Sequence, residues 1–265
     1  MHPDPPASGA HPPATPVQNE ADWRPSKFVQ TRRGLRASRD RAEVYVGSRL
    51  SADQSAQALE RAIREHARGR LLDLGAGKAP LYGTYRPLVD TVTCIDWARS
   101  LHGTDYLDAT ADLNEGIPYP DGSFDTVLSS SVFEHLRRPQ FAFEETARVM
   151  ASGGSLILHV PFYYWLHEEP HDYYRFTEYA LRDLASGAGL RVESVRTTGG
   201  GLYALADLMA RALGPAKPLA AAWVGASGWA LSRTPLRKLT EGDRARRFPL
   251  GYCMVARKEG AAGSH

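Results

Sequence analysis

Two stretches of this chain carry residues able to do chemistry. The first, LLDLGAGKAP at residues 71–80, is an apolar run that ends in an acid and turns through two glycines. Gly75 and Gly77 lack a Cβ, so the backbone there, with Ala76 between them, can approach a ligand closely. Asp73 at the strand end is placed to bond a ribose or an amino group. Together these make a nucleoside pocket; the bland reading is a tight strand-to-helix connection. A dinucleotide site needs a third glycine three residues after the second, to seat a pyrophosphate at a helix N-terminus, and Pro80 stands there instead. A nucleoside without a pyrophosphate therefore fits better than NAD. The run TVTCID closes on Asp96, 19 residues past Gly77, where the second strand of a βαβ unit delivers an acid to ribose hydroxyls. Trp97 comes next, within reach of an adenosine. The second stretch, PFYYWLHEEPHDYYRFT at residues 161–177, is crowded with His, Tyr, Glu and Asp and is poor core material, which points it at a substrate.

The D-x-G-x-G pattern of residues 73–77 resembles motif I of the class I S-adenosylmethionine (SAM) dependent methyltransferases. DLNEGIPYPDGSFDTVLSSSVFEHL, residues 112–136, resembles the stretch of that family in which an acid and its neighbour hold the adenine. The resemblance implies that Asp112 accepts from the adenine amino group and that the Leu113 amide reaches the ring. It also implies a strand ending in small hydroxyl residues, Ser129 among them, at the pocket floor. RVMASGGSLILHVPF is similar to the helix, glycine turn and strand that come next in the family, so the likeness runs in continuous order over residues 71–195. The second stretch looks like a methyltransferase subgroup with an H-x-x-P-x-D-Y-x-R-x-T loop, here His167, Pro170, Asp172, Tyr173, Arg175 and Thr177. Its acceptors are diverse, so the loop identifies a pocket and no substrate. Part of it is architectural in type: Arg175 paired with Asp172 would pin the loop, and Thr177 with Glu178 resembles a helix start.

The activity implied is SAM-dependent transfer of a methyl group to a small-molecule or lipid-linked acceptor. A hydroxyl or ammonium acceptor must also lose a proton, and imidazoles, which titrate at about 6.5 unperturbed, are the natural bases. His171 and His167 are preferred, with His135 as the third candidate, and Tyr173, Tyr174 and Arg175 are read as acceptor-binding. This wealth of bases favours O-methylation. His167 and His171, with Glu168 and Glu169 beside them, would suit a divalent metal if the loop were helical. Pro170 argues against a helix, and no metal is expected. A methyltransferase-like protein that binds SAM without turnover is the alternative; a nicotinamide oxidoreductase is disfavoured by Pro80.

These residues need an α/β scaffold. Apolar runs at residues 70–74, 92–96, 123–129, 155–160 and 191–196 alternate with helical spacing, and LGYCMVARK supplies a last strand. The pattern predicts a Rossmann-like, mostly parallel sheet covered on both faces, and the family resemblance implies seven strands with the last antiparallel. Seven of the 18 prolines fall in the first 25 residues, which are read as a disordered tail. Residues 26–69 are expected to form a helical lid region, with eight basic residues between Arg24 and Arg49 and a helix from Ser51, its N-cap, to Arg68. The basic run reads as a solvated helical face, or more sharply as a lid meeting an anionic substrate. Residues 70–265 form the SAM-binding domain. Within it, Leu202, Leu205, Met209 and Leu213 recur at helical spacing in an insertion spanning residues 199–248. That insertion either extends the core or a homodimer surface, or covers an apolar acceptor or a membrane surface.

A chain of 265 residues with 43% hydrophobic and 23% charged content suits one catalytic domain, and a net charge of +2 gives no reason to expect nucleic acid. Cys94 and Cys253 read as buried free thiols. No signal peptide or membrane span is expected, and a cytoplasmic location is.

Overall fold

The computed structural model describes residues 17–240 and 242–260. Seven strands form one sheet: β3 (Arg70–Leu74), β4 (Thr91–Asp96), β5 (Ala109–Thr110), β6 (Phe124–Ser130), β7 (Met150–Pro161), β8 (Leu190–Gly200) and β9 (Pro249–Lys258). Their order is β5-β4-β3-β6-β7-β9-β8, with β9 alone antiparallel, inserted between β7 and β8. The order reverses between β3 and β6, so the carboxyl ends of these two strands flank the crevice where open α/β sheets bind ligands.

Side-chain alternation explains the two covered faces. Leu71, Cys94, Leu128, Ile157 and Val255 enter one core, and Leu72, Ile95, Val127, Leu158 and Met254 enter the other. Neighbours in sequence thus serve opposite faces, as the two-residue strand period requires. Helix α1 (Arg49–His66) covers the first face through Ala56, Leu59 and Ile63. On the second lie α3 (Pro139–Val149) and α4 (Glu178–Gly187), through Phe143, Ala147, Leu181 and Ala185. Both cysteines are buried free thiols.

The N-terminal region departs from expectation. The disordered tail expected over residues 1–25 lies outside the described residues as far as residue 16, but beyond it Val17 is buried and the Trp23 ring nitrogen donates to Ala79 O at 3.0 Å. Residues 26–69 are not wholly helical either, because β1 (Phe28–Thr31) and β2 (Gly34–Ala37) pair as an antiparallel hairpin. Phe28, Leu35 and Ala37 enter the first core, so alternation outweighs the basic density. Ser51 lies inside α1 and is not its N-cap. Its N–H donates at 3.0 Å to the Asp207 carboxylate, so that an acid 156 residues away satisfies the helix end.

That acid belongs to α5 (Leu202–Ala212), which with α6 (Lys217–Arg233) builds most of the insertion, ahead of the short α7 (Gly242–Arg246). Asp207 and Arg211 form a fully buried pair at 2.7 Å. Among the described residues no helix is long and apolar enough to cross a membrane.

Candidate active site

The glycine turn after β3 presents bare backbone at the sheet edge. Gly75 (φ 72°) and Gly77 (φ 51°) adopt left-handed backbone that side chains rarely tolerate. A Cβ on Gly75 would stand 2.2 Å from a Val132 methyl, and one on Gly77 would stand 2.9 Å from His102 Cβ. The turn leads into a single helical turn, α2 (Tyr82–Tyr85), so there is no long helix whose N-terminus would face a pyrophosphate. Asp96 ends β4 and returns to the turn. One oxygen accepts from the Gly77 N–H at 2.9 Å and the Ser100 hydroxyl at 3.1 Å, the other from the Trp97 N–H at 2.6 Å. Burial raises its pKa against these three donors. Asp112 spends one oxygen on the Asn114 N–H and side-chain amide, at 2.9 and 2.8 Å, which leaves the second oxygen for a ligand.

Gly75, Ala76, Gly77, Asp96, Trp97, Asp112 and Leu113 line one half of a cavity of about 820 Å³. Two expected members are not there. Asp73 is buried behind the floor, where its carboxylate accepts from the Tyr85 hydroxyl at 2.9 Å. Burial, opposed by that hydrogen bond and abetted by the Asp96 charge, pushes its pKa up to about 7. Ser129 is likewise buried and donates to Leu74 O at 3.1 Å. Strand-end positions suggest the cofactor for both, but each side chain still points into a sheet face rather than past the edge.

The cavity's other half is lined by the end of β7, the loop after it and the N-terminal segment, including Lys27, Tyr45, Ser48, Ser51, His159, Tyr164, His167, His171 and Tyr173. The loop is irregular, as Pro170 predicts, and separates the two imidazoles considered as a metal pair. His171 lies edge-on to Trp97, ring centroids 5.4 Å apart, with Nδ1 3.2 Å from the Tyr173 hydroxyl. His167 instead meets His135 at 4.7 Å and Tyr164 at 4.8 Å. The Nε2 atoms of His135 and His167 each stand 3.8 Å from one oxygen of the wholly buried Glu134. Arg175 and Tyr174, read as acceptor-binding, do not line the cavity. The guanidinium donates to both Asp172 oxygens at 2.6 and 2.8 Å and to the carbonyls of Tyr164, Trp165 and Tyr174. Burial works against it, yet Arg175 and the His167 N–H hold the Asp172 carboxyl down to about 2. Tyr174 stacks on Phe176 and donates to Arg137 O at 3.3 Å. This part of the motif shapes the loop.

The family model described as a methyltransferase domain matches residues 72–158, from β3 through β7. These are the elements that build the nucleoside half of the cavity. Residues 72–158 carry a class I SAM-dependent methyltransferase domain. SAM is its cofactor, and the residues present fit: a bare-backbone cradle at Gly75 and Gly77, the Asp96 carboxylate and the open oxygen of Asp112.

Solved structures similar to this methyltransferase show the fold. The [4+2]-cyclase SpnF aligns with a TM-score of 0.52 at 19% identity, over 79% of this chain and 84% of its own. A Haloferax volcanii methyltransferase complexed with the Trm112 methyltransferase activator gives 0.52 at 18%, over 78% and 90%. An S-adenosylmethionine dependent methyltransferase from Mesorhizobium loti gives 0.50 at 15%, over 78% and 99%. A curated relative, ajmaline N-methyltransferase of Rauvolfia serpentina, is 48% identical over 42 residues, 16% of this chain and 14% of that protein's length.

Sequence reasoning misses several residues of the methyltransferase site. Glu134 is one, although an acid preceding His135 just after a strand is a visible signal. His159 ends up on the cavity wall with Nδ1 3.5 Å from the Ser131 hydroxyl, and burial drops its pKa to about 3, so the ring is neutral. Nothing local marks it. His102 and Glu168 pair at 3.0 Å between two loops that both line the cavity. That contact holds the Glu168 carboxyl below its ordinary value and raises the His102 imidazole.

Proposed function

We propose that this methyltransferase transfers the SAM methyl group to a hydroxyl of a small-molecule or lipid-linked acceptor. The observation that carries the reading is the division of the cavity. One half has the nucleoside groups, and the other is walled by Tyr45, Ser48, Tyr164, His167 and Tyr173, an aromatic and hydroxyl-rich surface suited to a compact, partly apolar molecule. When bound, SAM supplies a methyl carbon whose C–S bond breaks as an acceptor oxygen's electron pair forms the new C–O bond. Alignment of that oxygen falls to the loop and the N-terminal segment. The acceptor's proton leaves at the cluster of Glu134, His135 and His167, which places a buried carboxylate behind two imidazoles on the cavity wall. His171, against Trp97 and beside the Tyr173 hydroxyl, bridges the two halves and orients the acceptor.

Residues 26–69 are proposed to act as a wall of the acceptor site rather than a mobile lid. Two buried thiols suit a reducing cytoplasm. The exposed apolar side chains of the insertion, Leu205, Leu208, Met209, Trp223 and Trp229, support a homodimer contact, with a membrane surface as the competing partner.

Transfer of labelled methyl from SAM to small molecules and lipids extracted from cells is the test. The expected result is label in a product as an ether methyl, made by the wild type and lost with His135→Asn or His167→Asn. Label on amines alone would refute O-methylation. Tight S-adenosylhomocysteine binding with no labelled product from any extract would favour the SAM-binding scaffold.

A further inference from the structure

Glu134 is fully buried, and neither carboxylate oxygen has a hydrogen-bond partner among the described residues. Buried carboxylates are held by donors or by a cation; here the Arg175 charge acts on Glu134 from a distance but donates no hydrogen bond to it. The Arg175 guanidinium spends its donors on Asp172 and on backbone carbonyls. Two ring nitrogens face Glu134. His135 Nδ1 lies 2.8 Å from the His171 carbonyl oxygen, an acceptor, so Nδ1 carries the hydrogen and Nε2 presents a lone pair. His135 Nε2 is buried without a hydrogen-bond partner. His167 Nδ1 stands 3.3 Å from an Asp172 oxygen without hydrogen-bond geometry, and its Nε2 stands 3.8 Å from the Glu134 oxygen that the His135 Nε2 also faces. One ligand atom from each of Glu134, His135 and His167 lies within 4.8 Å of the other two.

A carboxylate and the Nε2 atoms of two imidazoles converge here, and the His135 ring is held by a carbonyl on its far nitrogen. This is how metal-ligating histidines are oriented. We propose that Glu134, His135 and His167 bind one divalent transition-metal ion on the wall of the cavity. Ligands at 2.0–2.2 Å from a common ion lie about 3 to 3.5 Å apart, so the two 3.8 Å Glu134–imidazole separations close by a few tenths of an ångström on binding, and the two imidazoles, whose ligand atoms lie within 4.8 Å of each other, draw together as well. The neutral nitrogen donors select ions of the Zn²⁺, Co²⁺, Ni²⁺ or Fe²⁺ type over Mg²⁺ or Ca²⁺. Both imidazoles line the cavity while Glu134 lies behind them, so the ion's remaining positions face the cavity. Glu168, whose second oxygen stands 4.0 Å from His135 Nε2, borders that open side. An acceptor oxygen taking an open position would lose its proton more readily, to the Glu168 carboxylate or to water in the cavity, because with the ion bound the two imidazoles serve as ligands in place of their role as the base. This last role rests on the methyl-transfer reading; binding of the ion does not.

The test is titration of the purified full chain, stripped with a chelator, with Co²⁺ in the absence of SAM and acceptor. Visible absorption of the bound ion and calorimetry are the readouts, with S-adenosylhomocysteine binding as the check of folding. The expected result is a Co²⁺ site displaced by Zn²⁺ and weakened roughly a hundredfold or more by Glu134→Gln and by His167→Asn. If Glu134→Gln fails to fold, the half-buried His167→Asn carries the test. No Co²⁺ site in the wild type, or one of equal affinity in a variant that still binds S-adenosylhomocysteine, overturns the proposal. Absence of methylated product with an intact Co²⁺ site would instead count against the reaction and leave the metal site standing.

Discussion

Replacing Asp73 with Asn tests where the motif's first acid points. The carboxyl is buried beneath the glycine turn, accepts from Tyr85, and has its pKa pushed from 3.8 up to about 7. Because the folded value is the higher one, folding favours the protonated form. The penalty for ionising is absent below the unfolded pKa and fully present above the folded one. Across that gap it amounts to about 4 kcal/mol, and about 2 to 3 kcal/mol of it falls between pH 5 and pH 8. Asn cannot ionise, and its side-chain oxygen keeps the acceptor for the Tyr85 hydroxyl.

Denaturant unfolding of both proteins at pH 5 and pH 8 is therefore expected to show the stability difference moving in favour of Asp73→Asn by about 2 to 3 kcal/mol as pH rises. Any fixed cost of burying the new amide cancels in that comparison, as do the groups common to both proteins. S-adenosylhomocysteine affinity should change by less than about threefold, since Asp73 does not line the cavity. A difference independent of pH would refute the assigned burial. A loss of affinity of tenfold or more would mean that Asp73 contacts the nucleoside after all.

Asp96→Ala should raise the S-adenosylhomocysteine dissociation constant roughly thirtyfold, about 2 kcal/mol, because the carboxylate both faces the cavity and fixes the Gly77 N–H; calorimetry checks this, and tighter binding of NAD than of S-adenosylhomocysteine would contradict the cofactor assignment. Leu205→Asp with Met209→Asp should leave S-adenosylhomocysteine affinity and acceptor KM unchanged, since neither residue lines the cavity. In light scattering the same variant should convert a dimer to monomers; loss of vesicle binding by an already monomeric protein would assign the face to a membrane instead.

The sheet is legible in the sequence because its strands are buried on both faces and read as short continuous apolar runs between glycine turns. Asp96 and Asp112 are legible for a related reason: each ends or lies just past a strand, so the chain itself carries it to the sheet edge. Asp73 shows the limit of that logic. It precedes the strand end by one residue, so its side chain falls on the face shared by Leu71, toward Tyr85 and Cys94, and only the residues past Leu74 reach the edge. The Glu134, His135 and His167 cluster depends on a different kind of information. It needs β6 and β7 paired so that Ser130 stands beside His159, and the loop after β7 folded back so that the Tyr173 and Tyr174 amides donate to Glu134 O. Neither the register nor the return of the loop is written in local spacing.

The insertion, one of whose expected roles is a cover over the acceptor, connects to the site indirectly. Arg211 donates to the hydroxyls of Ser48 and Ser51 at 2.9 and 2.8 Å, and its guanidinium stacks 3.9 Å from the Tyr164 ring centroid. All three of those partners line the acceptor half of the cavity, while Arg211 and Asp207 lie behind them. Asp207 in turn caps α1 through Ser51. One buried ion pair thus joins the insertion, the N-terminal segment and the loop after β7, three parts of the chain far apart in sequence. The matched family region at residues 72–158 includes His159's neighbours and Glu134 but none of these three parts. On the proposed reading these three parts wall the acceptor half, and a relative aligned over 42 residues, 16% of this chain, carries no information about them.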